Sequence, residues 1–294
     1  MPELTFAHGS PATCNEIGQI IGMFRTDANV SLDTLSEGIF NDRSRLSKIE
    51  NGTRQGNVYE LEATMQRLGR DIDKYFNTFL PIKEFLLKQK RDEINALLAN
   101  RKFDEAEKLL LELEDEKSYK KYVNKQFIEL SKVQIKNARK GYTPEEHLAA
   151  PQDVLSMTKK KFDMQDVAKT RFTYYEIKIL KMMANNRCRS KDASSGIRLF
   201  FDLIQSMDTH YVDGAAKMRM YPTVLYNYTR FLGMEGRLKE TLPLIEKGES
   251  LCILYNQFKT LPGFSANKST YLLEKGEKEK ALPMLHLHIM EAHL

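Results

Sequence analysis

Residues 40–56 read FNDRSRLSKIENGTRQG, placing three basic side chains, Arg43, Arg45 and Lys48, within six positions before the stretch closes on Glu50-Asn51-Gly52. Asp42 is a good N-cap, because its carboxylate can accept the unpaired backbone N–H groups of a first helical turn. A helix over 43–50 follows, with Leu46 and Ile49 turned inward and Gly52 as the left-handed residue that stops it. Arg43, Ser44 and Lys48 then share the outer face, which is rich in donors. Arg and Lys can hydrogen-bond guanine O6 and N7 in the major groove, and Ser can bond several bases. Arg45, Asn51, Thr53 and Arg54 lie at the helix edge or just after it, where basic side chains and backbone amides meet phosphates. Taken alone, a basic triplet also fits an ordinary solvated face.

The neighbourhood argues for the groove. Ile17, Ile20, Ile21 and Phe24 repeat at helical spacing until Asn29-Val30-Ser31 breaks the pattern. Ser31 can cap a short helix from Leu32 to Ile39, with Leu35 and Ile39 four apart on one face, and Phe40-Asn41 makes a tight turn into the basic helix. A fourth helix carries Leu61, Met65 and Leu68, followed by Gly69 and DIDKYFNTFL. Several short helices in about 65 residues make the size of a small DNA-binding head.

Composition narrows the class. The 294 residues are 41% hydrophobic and 29% charged, with no Trp, 15 Gly and 9 Pro, which suits a helix-rich globular chain of one small and one larger domain. The net charge of +5 is not concentrated in the head: residues 1–75 hold 8 Lys/Arg against 11 Asp/Glu, so only a local arrangement can favour DNA there. Cys14, Cys188 and Cys252 match no disulfide or zinc spacing and suit a reducing, cytoplasmic setting; Cys188, between Arg187 and Arg189, is given no role. No segment has the apolar length of a membrane span or the pattern of a secretion signal. His286 and His288 face different ways on a helix and His293 lacks a carboxylate partner at metal-site spacing, so no metal and no cofactor are expected. The acids of 104–116 are interleaved with leucines as an amphipathic helix, and no phosphate-binding Gly loop or nucleophile motif is present, so no enzyme is expected.

From about residue 82 the texture changes to longer amphipathic helices, and residues 225–248 realign on the chain 40 positions later. Asn227 falls on Asn267, Phe231 on Tyr271, Leu232 on Leu272, Gly236 on Gly276 and Leu242-Pro243 on Leu282-Pro283. INALLANRKFDEAEKLLLEL, 94–113, repeats the same helix, turn, helix logic. Self-similarity at this period indicates helical hairpins stacked into a solenoid. KGYTPEEHLAAPQD, 140–153, reads as a loop or a displaced helix start, and RCRSKDASSG, 187–196, as a longer turn.

Two short capped helices around a tight turn, the second ending LSKIENG, resemble the helix-turn-helix of phage repressors over about residues 15–75. That family often joins an Arg late in its first helix to the Glu closing the recognition helix. The matching positions here are Arg25 and Glu50, which implies a partly buried ion pair with Arg25 near a phosphate. The chain departs from the family at Leu32, where many relatives carry a phosphate-touching Gln, and at Asn41, a position usually apolar. Joined to helical repeats, this head resembles the Gram-positive regulators that respond to peptide pheromones, the Rgg, PlcR and PrgX-like group, over nearly the full length. The resemblance implies tetratricopeptide-like repeats whose concave face holds a short signalling peptide, with Asn side chains on its backbone. Asn227 and Asn267 take those places, with Thr223 and Arg230 sharing a face with Asn227 and with Tyr271, Tyr226, Tyr228 and Phe264 as possible walls; alternatively the Asn pair bonds neighbouring helices and the aromatics are core.

The expected architecture is therefore all-α: a helix-turn-helix domain over 1–72, a connecting helix or linker over 73–90, and a repeat domain over 91–294 that dimerises and senses peptide. The expected function is a peptide-controlled, sequence-specific transcription regulator. Its partners would be double-stranded DNA, a peptide and a second copy, with half-sites about 34 Å apart. The alternative is a repeat-type interaction adaptor whose head only tethers it to DNA.

Overall fold

The computed structural model describes residues 14–75, 82–120 and 122–291, with the side chains of 14–16, 74, 75, 82 and 285–291 excepted. Every regular element among them is helical, and they fall into two compact units. The first comprises the chain up to Gly141 together with Ser156–Lys160. It holds α1 (Cys14–Asp27), α2 (Leu32–Ser36), α3 (Arg43–Glu50), α4 (Val58–Arg67), α5 (Ile72–Tyr75), α6 (Ile82–Ala99), α7 (Phe103–Glu114) and α8 (Tyr122–Ala138). The second comprises Tyr142–Leu155 and the chain from Lys161. It holds α9 (Pro144–Ser156), α10 (Tyr174–Cys188), α11 (Ala193–His210), α12 (Gly214–Met218), α13 (Tyr221–Met234), α14 (Leu238–Leu254), α15 (Leu261–Glu274) and α16 (Lys278–Glu291).

Local chemistry sets the head's boundaries. Ser31 Oγ accepts from Thr34 N at 3.0 Å and starts α2, which ends at Ser36 rather than Ile39 because Gly38 sits at φ +65°. Ile39 still reaches the core and is fully buried. Asn57 and Glu60 form a reciprocal capping box on α4, a helix buried on nearly every side, including Leu61 and Met65. The segment expected to continue past Tyr75 lies, over 76–81, outside the described residues.

The expected linker over 73–90 is not where the compact units part. α6 begins within that range and meets α4, where Val58 N donates to Glu84 Oε2 at 3.5 Å. Just beyond the range the Arg91 guanidinium lies 4.7 Å over the Tyr59 ring and pairs with Glu62, and Tyr119 OH donates to Tyr59 OH at 3.0 Å. The first hairpin, α6–α7, thereby joins the head in one unit.

The 40-residue repeat is a structural one. α13–α14 and α15–α16 are hairpins whose turns place Gly236 (φ +73°) and Gly276 (φ +79°) in the same left-handed position. Each turn closes with an equivalent bond, Arg237 N to Leu232 O in one and Glu277 N to Leu272 O in the other, both 2.9 Å. At the α6–α7 turn Arg101 takes that conformation, φ +61°. Residues 140–153 resolve as a helix start, with Thr143 and Glu146 exchanging cap bonds at 3.2 and 2.9 Å. The 187–196 turn is shorter than expected, since α10 runs to Cys188 and α11 begins at Ala193.

Candidate nucleic-acid interface and repeat-domain cleft

α3 is fixed at both ends by its own sequence. Asp42 Oδ1 accepts from Arg45 N at 3.0 Å. At the other end Gly52 (φ +70°) lets Gly52 N reach Ile49 O at 3.0 Å and Thr53 N reach Lys48 O at 2.9 Å. Leu46 and Ile49 are fully buried beneath it. Against α1 the contact is backbone to backbone: a Cβ on Gly18 would stand 1.8 Å from Ile49 O, so only glycine allows this approach, while a Cβ on Gly22 would lie 3.3 Å from the Glu50 side chain.

Arg25 and Glu50 meet as a bidentate pair, Nε–Oε1 2.7 Å and Nη2–Oε2 2.8 Å, and Arg25 Nη1 also donates to Val30 O at 3.1 Å. The two side chains are 20% and 8% exposed. The hydrogen bond to Glu50 raises the Arg25 guanidinium above its ordinary pKa, against the opposing effect of burial. The pair ties the last turn of α3 to the last turn of α1.

The outer face holds Arg43, Ser44 and Lys48, all exposed, with Asn51, Thr53 and Arg54 exposed just beyond the helix. Arg43 makes one solvent-facing ion pair, Nη1 to Asp33 Oδ2 at 3.1 Å, with both side chains about two-thirds exposed, a weak contact that DNA could displace. Thr53 Oγ1 donates to Lys48 O at 3.1 Å. Leu32 is half-buried and Asn41 exposed, while its neighbour Phe40 fills the core.

Arg45 stands apart from the rest of this group. Its guanidinium turns inward to Glu60 Oε2 at 2.7 Å, the same oxygen that accepts Asn57 N at 3.1 Å in the α4 cap, and only 23% of the side chain is exposed. It serves as a brace between α3 and α4. Sequence reading also passed over Gly18, Gly22 and Arg67. Arg67 is buried in α4, and its Nη1 donates to Leu35 O at 3.3 Å and to Glu37 O, satisfying carbonyls at the end of α2.

In the second unit a cleft of about 280 Å³ opens between α13, α14 and α15, lined by Arg230, Met234, Leu238, Thr241, Asn267 and Glu274 among others. Of the residues expected to hold peptide, the cleft brings together Arg230 and Asn267; Thr223, Asn227 and Tyr271 do not line it. The Arg230 guanidinium lies 4.5 Å over Phe231 and 5.9 Å from Tyr226, and its buried Nε has no hydrogen-bond partner. Asn267 Nδ2 bridges to α13, donating to Thr229 Oγ1 at 2.9 Å and Tyr226 O at 3.3 Å, which is the inter-helix alternative for this residue. Asn227 is buried and its Nδ2 donates to Thr223 O at 2.7 Å within its own helix. Phe264 and Tyr228 are core side chains, Phe264 edge-on to Tyr226 and Tyr228 beside Phe200, and not cleft walls. Tyr271 is half-buried near Lys275.

Burial, then the Glu235 charge, pushes the Cys188 thiol up to about 11 against the opposing Arg230 charge, and burial raises Cys252 as well. No cluster of metal-binding side chains occurs among the described residues, and none of their helices is long and apolar enough to cross a membrane. The side chains of His286 and His288, and all of His293, lie outside the described residues.

No protein-family model and no curated protein sequence matches the chain. Its fold is similar to that of several solved chains. PlcR from Bacillus thuringiensis, in complex with the peptide PapR7 and DNA, matches with a TM-score of 0.60 at 18% identity, over 95% of this chain and 96% of that one. ComR from S. thermophilus, in complex with DNA and its signalling peptide ComS, matches at 0.53 and 15% identity over 94% and 93%. The competence regulator ComR from Streptococcus vestibularis, in complex with its cognate signalling peptide XIP, matches at 0.52 and 15% identity over 96% and 93%. At these identities the likeness is one of fold.

Proposed function

We propose that this chain is a sequence-specific DNA-binding transcription regulator that acts as a homodimer and is controlled by a short peptide bound to its repeats. The observation that carries the reading is α3: an eight-residue capped helix whose outer face offers Arg43, Ser44 and Lys48 while its inner face is clamped by Gly18 and by the Arg25–Glu50 pair. A helix held at both ends with a donor-rich free face is built to enter a major groove at a fixed angle. Arg54 and Thr53, exposed just past its end, would meet phosphates on this reading. That PlcR and ComR have been solved with peptide and DNA supports both halves of the reading.

For the peptide half, the cleft beside α13 supplies the chemistry. Arg230 is a cation stacked on an aromatic ring, Asn267 and Thr270 are polar, and Leu238 and Ile245 form an apolar floor, suiting an apolar side chain next to a carbonyl or carboxylate. Binding controls DNA only if the peptide has different affinities for two states of the protein.

The test begins with a duplex selected by the chain from a random library. Arg43→Ala and Lys48→Ala should each reduce affinity for that duplex at least tenfold with an unchanged melting temperature. Removing Arg54 should weaken selected and scrambled duplexes alike and flatten the salt dependence by about one phosphate contact. Unaltered binding in both recognition-helix variants sinks the assignment and favours an adaptor. Arg230→Met and Asn267→Ala should weaken any peptide found by screening, measured by calorimetry.

A further inference from the structure

The DNA-reading unit contains a piece encoded far from it. Residues 156–160 belong to the first compact unit, although the chain on either side of them, Tyr142–Leu155 and everything from Lys161, belongs to the second. They meet the turn that launches α3. The Thr158 backbone fills the place where any other residue at 38 would have a side chain: a Cβ on Gly38 would lie 2.1 Å from Thr158 O and 2.3 Å from Thr158 Cα. Lys159, its side chain 4% exposed, places Nζ 2.7 Å from Glu37 Oε2, a pairing across 122 positions of sequence. Thr158 is itself fully buried and held by Gln126, whose Nε2 donates to Thr158 Oγ1 at 2.7 Å from α8.

Three features make this more than a passing contact. Gly38 sits at φ +65°, a conformation glycine adopts freely, so backbone geometry and the space taken by Thr158 demand the same residue. The Lys159 ammonium is buried and the partly exposed Glu37 supplies it a counter-charge, so a reversed charge at 159 would set two carboxylates together. Arg67 from α4 also holds the carbonyls of Leu35 and Glu37, so the turn is contacted by α4 as well as by residues 158–159. The path of residues 37–42 sets where Asp42 caps α3, and hence how its outer face is aimed.

We propose that residues 156–160 are a positioning segment for the recognition helix, with Thr158 and Lys159 as its working residues. This rests on the DNA-binding reading above. Because both flanks of the segment are spliced into the repeat unit, a rearrangement there that displaces residues 156–160 changes the aim of α3 without touching it.

The test uses the full chain with Lys159→Glu, Lys159→Met and the exchanged pair Glu37→Lys/Lys159→Glu, followed by hydrogen exchange and by affinity for the selected duplex against a scrambled one. Lys159→Glu should speed exchange of the amides of 37–42 at least tenfold while those of 94–135 stay as in the wild type. It should also cut discrimination between the duplexes at least tenfold with scrambled-duplex affinity unchanged. Lys159→Met should do the same to a smaller degree, and the exchanged pair should recover most of the loss. Wild-type exchange and discrimination in both single variants overturn the proposal. So does a fall in thermal stability that leaves discrimination intact, which marks Lys159 as structural only. Should Lys159→Glu fail to fold, Lys159→Met decides by the same two readouts. A wild-type chain that selects no duplex sinks the DNA-binding reading itself, a result on which exchange at 37–42 does not depend.

Discussion

Removing the charge from either end of the Arg25–Glu50 pair should cost about 2–3 kcal/mol, and the geometry gives the reason. Fully buried ion pairs cost roughly 3–5 kcal/mol to break from one side, because the remaining charge is stranded, whereas exposed pairs are worth about 0–1 kcal/mol. This pair, bidentate and 20% and 8% exposed, lies nearer the buried end. Glu50→Gln keeps the shape but turns an amide N–H₂ toward a guanidinium; Arg25→Met keeps the stem and leaves the carboxylate beside Gly22 without its partner. In a unit of this size each kcal/mol moves the midpoint by about 2–4 °C, so a drop of roughly 5–10 °C is expected in the transition of the first unit. The assay is a double-mutant cycle in urea on Arg25→Met, Glu50→Gln and the double variant, read as a coupling energy. A value of about 1.5–2 kcal/mol is expected. Coupling below about 0.5 kcal/mol, or single variants costing less than about 1 kcal/mol, refutes the view that this pair anchors α3.

Two glycines should respond to the same change by different amounts. Gly18→Ala drives a methyl into the Ile49 carbonyl and should cost more than about 3 kcal/mol, while Gly236→Ala meets no atom within 4 Å and should cost only the left-handed backbone strain, about 1–2 kcal/mol; equal losses in thermal melts count against the packing argument. Lys181, half-buried on α10, is pushed down to about 8 by desolvation and pairs with no carboxylate among the described residues. Its folded pKa lies below its unfolded one, so wild-type stability should rise between about pH 8 and 10.5, and Lys181→Met should gain about 1 kcal/mol at pH 7 and lose that dependence in pH-resolved urea titrations. Burial, then the Arg171 charge, lowers the His210 pKa, outweighing the bond to Lys169 O, so the ring stays neutral when folded and the unfolded chain takes up a proton first. Stability present above about pH 6.5 is therefore lost on acidification, and melting His210→Gln at pH 7.5 and 5.5 should show a smaller drop than wild type.

What the sequence displayed of this fold was its short-range chemistry. Ser31, Asp42 and Gly52 act within three or four residues, so their caps could be read directly, as could the 40-residue recurrence of Gly236 and Gly276. The Arg25–Glu50 pair came through family resemblance, since nothing in 25 residues of separation announces it. Partners chosen by tertiary packing stayed hidden. Arg45 follows the same capping residue as Arg43, yet the angle between α3 and α4 sends it to Glu60. Asn267 sits one repeat after Asn227, but only its amide crosses to α13, because Thr229 Oγ1 lies opposite it. The unit boundary was obscured for a similar reason: Arg91 and Tyr119 carry no local signal that they belong with Tyr59.

The allocation of the head's cations explains how a region carrying more acids than bases can present a basic face. Arg25 is spent on Glu50, Arg45 on Glu60, and Arg67 on the carbonyls of Leu35 and Glu37, while Arg70 lies 3.8 Å over the Phe24 ring. Those contacts fix α3 relative to α1, α2 and α4 and leave Arg43, Lys48 and Arg54 pointing to solvent. Two of the head's acids, Glu50 and Glu60, are counter-charges of this scaffold, each 8% exposed. So small a cationic surface gives little sequence-independent attraction to phosphates, which scales with the number neutralised. On the DNA-binding reading proposed above, a head built this way would gain its affinity from correctly aimed base contacts, and what holds the turn before α3 would then bear on function more than the total charge does.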